Sequence, residues 1–296
     1  MPGSSAVRIG FPMGTALKNR ATLADCCDVA IQCEDGQEYR GLAQIEAFVA
    51  RLDELRPGAM IFVRSTLLAL FFERAFARIP HSFVLVTGGS DAPSPGPYRH
   101  ALEDPRLIRW FGEDGDLPRP HPKFELVPLG ISDSNLPFGN QQLMLKVHAR
   151  MPTVDEKPLL AHASFHLTMS HPSRRQVLAQ VRDIDGVVLQ PARVAPELLW
   201  IRHAGHAFVI SPFGHGVDCH RTWEALMLHS IPIVKRSPLD SLHEQFPVAI
   251  VDDWREISLA AMAGWRNRLK DRFTPDMFAR LTRDYWVGRI RAAACR

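Results

Sequence analysis

Residues 208–234 read FVISPFGHGVDCHRTWEALMLHSIPIV, and within this run stand Gly214, His215, Gly216, Asp218, His220, Arg221 and Glu224. Side chains of these types in this order suit a bound nucleotide. Arginine pairs in bidentate fashion with phosphate. Glycine lets a ligand approach the backbone, and the free N–H groups of a helix's first turn attract an anion. Arg221 and Glu224 are three apart, hence on one helix face, with Glu224 one turn deeper. The arginine fits a diphosphate, and the carboxylate fits the cis-diol of a ribose. His220 and Arg221 place cations in a first turn, where they oppose the helix dipole unless an anion lies between. The competing explanation is an intrahelical Arg221–Glu224 ion pair, with the glycines serving only as turn residues.

The surrounding elements must hold that loop in place. AFVISP reads as a strand that runs into Gly214, and Asp218 is a good N-cap for the helix that follows. Further runs that read as strands are DVAIQC (28–33), AMIFVRS (59–65), SFVLVTGG (82–89), LIRWFG (107–112) and FELVPLGI (124–131). Amphipathic helical stretches, GLAQIEAFVARLDELRPG (41–58) and TLLALFFERAFARIP (66–80), separate the first three. The second half repeats this grammar: LLAHASFHLTMS (159–170), GVVLQ, SIPIV and FPVAIVD read as strands. PSRRQVLAQVRD reads as a helix that Pro172 opens. Strands alternating with helices imply parallel sheets covered by helices. The polar, proline-containing stretch 149–158 is the expected boundary, giving α/β domains over 1–150 and 151–296 with a basic helical tail.

At 296 residues, two domains are expected. A net charge of +3 fits anionic small ligands or an anionic membrane surface and is too weak to argue for nucleic acid. The five cysteines, Cys26, Cys27, Cys33, Cys219 and Cys295, show no CxxC spacing. Reduced thiols in a cytoplasmic protein follow, without a zinc site. The N-terminal MPGSSAVRIGFPMG lacks the apolar core of a signal peptide, and LLALFF (67–72) is too short to span a bilayer. A soluble protein is expected. GHGVDC also holds two glycines of a GxGxxG pattern, with Cys219 in place of the third. Lys235 and Arg236 end the next strand where NAD would need an acid. An NADP-type oxidoreductase is the alternative from that reading.

The string FVISPFGHGVDCHRTWEALMLHSIPIVKRSPLDSL, followed by PVAIVDDWREI, resembles the C-terminal half of exostosin-like glycosyltransferases. In the first half FVLVTGGSD, WFGEDGD and HPKFELVPLGI are similar to the family's N-terminal pattern. The resemblance covers about residues 82–258 and is strongest over 208–257. It implies a GT-B fold, two Rossmann-like domains facing across a cleft, with a nucleoside-diphosphate sugar as donor and no bound cofactor or metal. It further implies inverting transfer to a carbohydrate or lipid-linked acceptor, as in polysaccharide biosynthesis. The loop 214–220 and Arg221 would hold the diphosphate, and Glu224 the ribose. His229 departs from the family, which has a glycine there as a left-handed helix cap, so a different helix exit is expected. Many relatives carry an N-terminal membrane anchor, which this sequence does not show. A nucleotide-binding relic without chemistry stays as a further alternative.

Inverting transfer needs a base for the acceptor hydroxyl. Asp91 follows VLVTGGS at the carboxyl end of a parallel strand, where open α/β sheets bind ligands. His121, in RPHPK, is the second choice. Arg174, with Arg175, opens the first helix of the second domain and is a candidate phosphate contact. The DID at 183–185 matches a metal-binding DxD but precedes Gly186 and reads as a turn. Asp253 suits an N-cap for WREISLAAM, and Asp252 beside it is a candidate donor contact. The basic C-terminal helices, with Trp265, Arg266, Arg268, Lys270, Arg272, Tyr285, Trp286 and Arg289, either contact an anionic membrane peripherally or return onto the first domain.

Overall fold

The computed structural model describes residues 11–12, 15–19, 23–34, 37–132, 140–167, 173–190 and 194–295. Pro172 and most of the N-terminal segment lie outside these residues. The chain divides into two compact units. One comprises Lys18–Leu129 with Arg283–Arg296, the other Gly130–Thr282 with Met1–Leu17. The stretch 149–158 thus lies inside the second unit, and the change of unit falls at 129/130.

The first unit carries a parallel sheet of five strands: β1 (Val29–Ile31), β2 (Ala59–Arg64), β3 (Phe83–Gly88), β4 (Leu107–Gly112) and β5 (Phe124–Leu126), side by side in chain order. Every pairing is parallel. Right-handed crossovers that always advance in one direction return over one face. Ile61, Val63, Phe83 and Leu85 meet there with Ile45 and Phe48 of α1 (Glu38–Val49), and with Leu68 and Phe71 of α2 (Leu68–Arg74). Ala101 and Leu102, from the β3–β4 connection, join the same cluster.

The opposite face is left for another element. The last helix, Arg283–Ala294, packs on β2, β3 and β4 and buries Trp286, Val287, Ile290 and Ala293. Its Arg289 pairs with Glu125 of β5 at 2.5 Å. The C-terminal helix therefore returns onto the first unit, and its apolar stripe is used there. No helix among the described residues is long and apolar enough to cross a membrane.

The second unit also has a five-stranded parallel sheet, but in the order β10-β9-β8-β6-β7. Its strands are β6 (Ala161–Ala163), β7 (Val187–Leu189), β8 (Phe208–Ile210), β9 (Ile231–Lys235) and β10 (Ala249–Val251). From β6 the chain advances one way to β7, then returns past β6 to β8 and continues the other way. Reversal puts crossovers on both faces. Val177 and Val181 of α4 (Ser173–Val181) pack with Phe208, Ile210, Ile231 and Ile233 on one. The other is covered by α5 (Pro196–Ala204) and α6 (His220–Met227). Both sheets are Rossmann-like, as the strand and helix alternation implied. Before β6 lies α3 (Gln141–His148), capped by Asn140 through Leu143 N at 3.0 Å.

In doubly wound sheets ligands bind outside the carboxyl ends of the strands, where the order reverses. Here that point lies between β6 and β8, and the loop leaving β8 is the glycine loop 211–219.

Candidate functional site

Ser211 leaves β8 with its hydroxyl 2.9 Å from Thr222 Oγ1, tying the strand exit to α6. The N-cap of α6 is Cys219, in extended conformation and without a side-chain capping bond. Asp218, expected to cap, is instead 3% exposed and accepts from Trp223 Nε1 at 2.9 and 3.0 Å and from Cys219 N at 2.7 Å. A buried indole N–H needs an acceptor, and this carboxylate is committed to it. Among the described residues no side chain therefore caps the first turn of α6.

Arg221 stands in that first turn. Its Nη1 lies 3.6 Å from Cys219 Sγ, and its Nε is sealed from solvent without a partner. No ion pair joins it to Glu224 or to any other carboxylate among the described residues. Arg174 faces the loop from the first turn of α4. It is 6% exposed and donates from Nε to Phe213 O at 2.6 Å and from Nη1 to His166 O at 3.2 Å. Its Nη2 is 3.9 Å from Cys219 Sγ. Two guanidinium groups thus converge on one thiol across the crevice between β6 and β8. Burial lowers the Arg174 pKa, Cys219 partly offsets this, and the charge of Arg221 lowers it further.

Gly214 shows what the loop leaves open. It does not adopt a left-handed φ, and a Cβ there would meet Arg174 Nη2 at an ordinary 3.6 Å. The fold does not require glycine at this position, since a Cβ would make only ordinary contacts with Arg174, Asp218 O and Cys219 Sγ. Gly216 O accepts from Gly214 N at 3.0 Å, and His215 is exposed on the loop. His220 Nδ1 lies 2.8 Å from Gly130 O, which makes Nδ1 the protonated nitrogen.

Glu224 is 7% exposed. Its Oε1 accepts from Ser132 Oγ at 2.7 Å and from Ser132 N at a long 3.4 Å. Sequence reasoning missed Ser132, which lies 92 positions away from Glu224 in the chain and has no motif of its own. It also missed a shelf of histidines below the exit of β6. His162 of β6 stacks on His206 at 4.9 Å and meets His203 of α5 edge-on at 5.0 Å. Ser164 Oγ is 2.7 Å from His203 Nε2. Burial pushes His162 down to about 4 and His203 well below the usual histidine range.

The helix exit corrects one expectation. His229 adopts φ 56°, the left-handed geometry that a glycine would supply. Ser230 N bonds Ala225 O at 2.9 Å and His229 N bonds Leu226 O at 3.1 Å, a complete Schellman closure. The exit geometry is therefore kept. The ring is held in an aromatic nest, stacked on Phe273 at 5.9 Å and 4.8 Å from Phe278.

Other candidates separate by strand polarity. Asp91 follows β3 and Gly89 at the carboxyl end of the first sheet and is exposed. His121 precedes β5, at the amino end of that sheet; its Nε2 lies 3.5 Å from Glu103 Oε1 and its Nδ1 accepts from Lys123 N at 3.2 Å. Asp183 and Asp185 form the turn into β7, at the amino end of the second sheet. Asp253 caps the turn Trp254–Glu256 with a full capping box. Arg236 is held by Asp240 at 2.7 Å and by Asp252 at 2.5 Å, so it is not left for a ribose phosphate. Among the described residues no group of three His, Cys, Asp or Glu side chains is placed to hold a metal.

A cavity of ≈ 220 Å³ opens at the same carboxyl ends, between Gln176 and Val177 of α4, Phe213, Lys235 and Trp254. A larger one, ≈ 650 Å³, lies in the first unit beside the starts of β1 and β2, lined by Asp28, Phe48, Arg51 and Arg56. It runs along β1 and the turn that leads into β2.

Neither protein-family models nor curated proteins give a match to this chain. Among solved structures it is similar to the UDP-forming α,α-trehalose-phosphate synthase of Burkholderia vietnamiensis. The identity is 11% over 88% of this chain and 81% of that one, with a TM-score of 0.43. The α,α-trehalose 6-phosphate synthase of Burkholderia multivorans gives 12% identity over 89% and 78%, with TM-score 0.43. The UDP-forming enzyme of Burkholderia xenovorans, in complex with glucose-6-phosphate, gives 11% over 88% and 79%, with TM-score 0.44.

Proposed function

We propose that this protein is a glycosyltransferase that takes its sugar from a nucleoside-diphosphate donor held by the second unit. The observation that carries the reading is Arg221: a cation in the uncapped first turn of α6, without a carboxylate partner among the described residues, at the reversal point of a doubly wound sheet. An anion there would receive the helix N–H groups and a guanidinium together. Arg174 braces the loop from α4 through Phe213 O. Glu224, one turn deeper on the same face, takes the ribose.

The exostosin-like motif string supports placement among exostosin-like enzymes, with inverting, metal-independent transfer to a glycan or lipid-linked acceptor. The two units then act as the two halves of a GT-B enzyme. In such a single displacement the acceptor oxygen attacks the anomeric carbon and the bond to the diphosphate breaks. The developing charge on the leaving diphosphate is stabilised by Arg221 and the first turn of α6. Asp91 accepts the acceptor's proton; strand polarity favours it over His121. The dinucleotide reading is weaker, because Arg236 is already paired and Cys219 occupies the third glycine position.

A calorimetric titration with nucleoside diphosphates tests the donor site. Binding by the wild type and its loss in Arg221→Ala is the expected result. Binding of a reduced phosphorylated dinucleotide alone sinks the transferase reading. Asp91→Asn should bind donor normally and stop transfer; retained transfer removes Asp91 from the chemistry.

A further inference from the structure

We propose that Ser132 is a positioning residue for Glu224, and that the pair forms the ribose subsite of the donor site. This rests on the nucleotide-sugar reading above. A carboxylate as buried as Glu224 needs hydrogen-bond donors. Arg221, its neighbour on the same helix face, does not provide them. Ser132 does, through a short hydroxyl contact of 2.7 Å and its own N–H at 3.4 Å, both on Oε1. Oε2 takes no bond from any described residue.

The consequence is geometric. Two donors on one oxygen fix the rotation of the carboxylate and leave Oε2 to accept from a vicinal hydroxyl. The same short segment is pinned one turn earlier, where Gly130 O receives His220 Nδ1–H at 2.8 Å. Gly130 holds φ 79°, so the chain turns onto α6 at that residue. Gly130 and Ser132 therefore lie along the two turns of α6 that carry His220, Arg221 and Glu224. Ser132 acts on the ligand through Glu224. The opposite role, a serine hydroxyl standing in for the ribose and competing with it, predicts the opposite sign in the experiment.

The experiment is calorimetry on wild type, Ser132→Ala, Ser132→Thr and Glu224→Ala, with uridine, adenosine and guanosine diphosphates and with inorganic pyrophosphate, which lacks the ribose. For the nucleoside diphosphate that binds wild type, Ser132→Ala weakens affinity about tenfold, the size of one charge-assisted hydrogen bond. Ser132→Thr restores it to within about threefold, because the hydroxyl is kept. Pyrophosphate affinity stays the same in all four proteins, which also shows that the loop is intact. Tighter or unchanged nucleotide binding in Ser132→Ala overturns the positioning role, as does an equal loss for pyrophosphate. If no nucleoside diphosphate binds wild type, the nucleotide reading fails, and the ribose subsite with it.

Discussion

The two sheets have the same number of strands, all parallel, and differ in their order. The first runs β1 to β5 without reversal, so its crossovers crowd one face and the other must be covered by the distant helix Arg283–Ala294. The second reverses beside β6, covers itself on both faces and opens a crevice where its helices diverge. The carboxyl ends follow the same contrast. In the first unit they are filled by the protein's own polar groups. Lys18 Nζ meets Glu113 Oε1 at 2.6 Å with both side chains buried, and Glu113 Oε2 accepts from Gly89 N at 3.0 Å. Thr87 and Ser94 pair at 2.8 Å beside them. In the second unit the cations Arg174 and Arg221 are brought together on Cys219 Sγ, at 3.9 and 3.6 Å. Strand order thus separates the two ends, and in the first sheet charge pairing ties up Lys18 and Glu113 while Asp91 stays exposed.

The comparison breaks most sharply at the closed end. Removing one member of the buried pair leaves the other uncompensated, which costs about 3–5 kcal/mol. Lys18→Met and Glu113→Leu should each lower stability by that amount in urea unfolding. The double variant should recover most of the loss, since replacing both charges with apolar groups is often neutral. Gly88 belongs to the same closure: a Cβ there would lie 2.5 Å from Glu113 Oε2. If the single variants cost less than about 1 kcal/mol, the Lys18–Glu113 pair does not hold the ends of β3 and β4 together.

The next effect concerns His229. Its left-handed backbone costs about 1–2 kcal/mol, which the aromatic nest of Phe273, Phe278 and His148 must exceed. His229→Ala keeps the strain and loses the packing, so it should destabilise by about 2–4 kcal/mol. His229→Gly relieves the strain and should fall about 1 kcal/mol short of that loss. Equal effects of the two variants would mean that the exit conformation relaxes when the ring is removed.

Much of this was legible in the sequence. The ten strands of the described residues fall inside the runs picked out by their β-branched and aromatic residues, save that β9 runs one residue further to Lys235, and the glycine loop lies at the reversal point. Local patterning is enough there, because a buried parallel strand must be apolar on both faces. Asp218 reads as an N-cap in the sequence because the competing partner, Trp223 Nε1, reaches it only when the helix is wound. Helices α3 and α5, Ser132 and the histidine shelf carry no signal in the local sequence. Their roles depend on neighbours distant in the chain, and single-sequence periodicity does not carry that information.

Those histidines sharpen the contrast in pH. Burial pushes His162 and His243 down to about 4 and His229 to about 3, and it lowers His203 and His206 as well. All five lie in the second unit. Above about 6.5 each is neutral whether the chain is folded or not. Between that value and the folded pKa only the unfolded chain takes up the proton, so stability falls as pH falls. The second unit should therefore lose hydrogen-exchange protection between about pH 6.5 and 4 before the first does. His243 is the cleanest single probe, since both ring nitrogens are buried without a partner. Replacing it with Leu should stabilise by about 1–2 kcal/mol and shallow the acid limb. A variant that unfolds at unchanged pH would show that the ring contributes through contacts rather than through its proton.

The smallest effect has the most informative sign. Arg221 sits in the first turn of α6, where a cation opposes the helix dipole and no carboxylate among the described residues pairs with it. If its role is to meet an anion, the ligand-free protein carries it at a cost, and Arg221→Ala should raise stability by about 0.3–1 kcal/mol while abolishing diphosphate binding. If the side chain is a packing element, stability and binding should fall together. Thermal unfolding at low salt, with and without a nucleoside diphosphate, separates the two. A gain without ligand together with a loss of the ligand-induced shift means that the open end of the second sheet is held ready for an anion at the expense of stability. A loss in both would move Arg221 to the structural side and leave the anion to the backbone N–H groups and Arg174 alone.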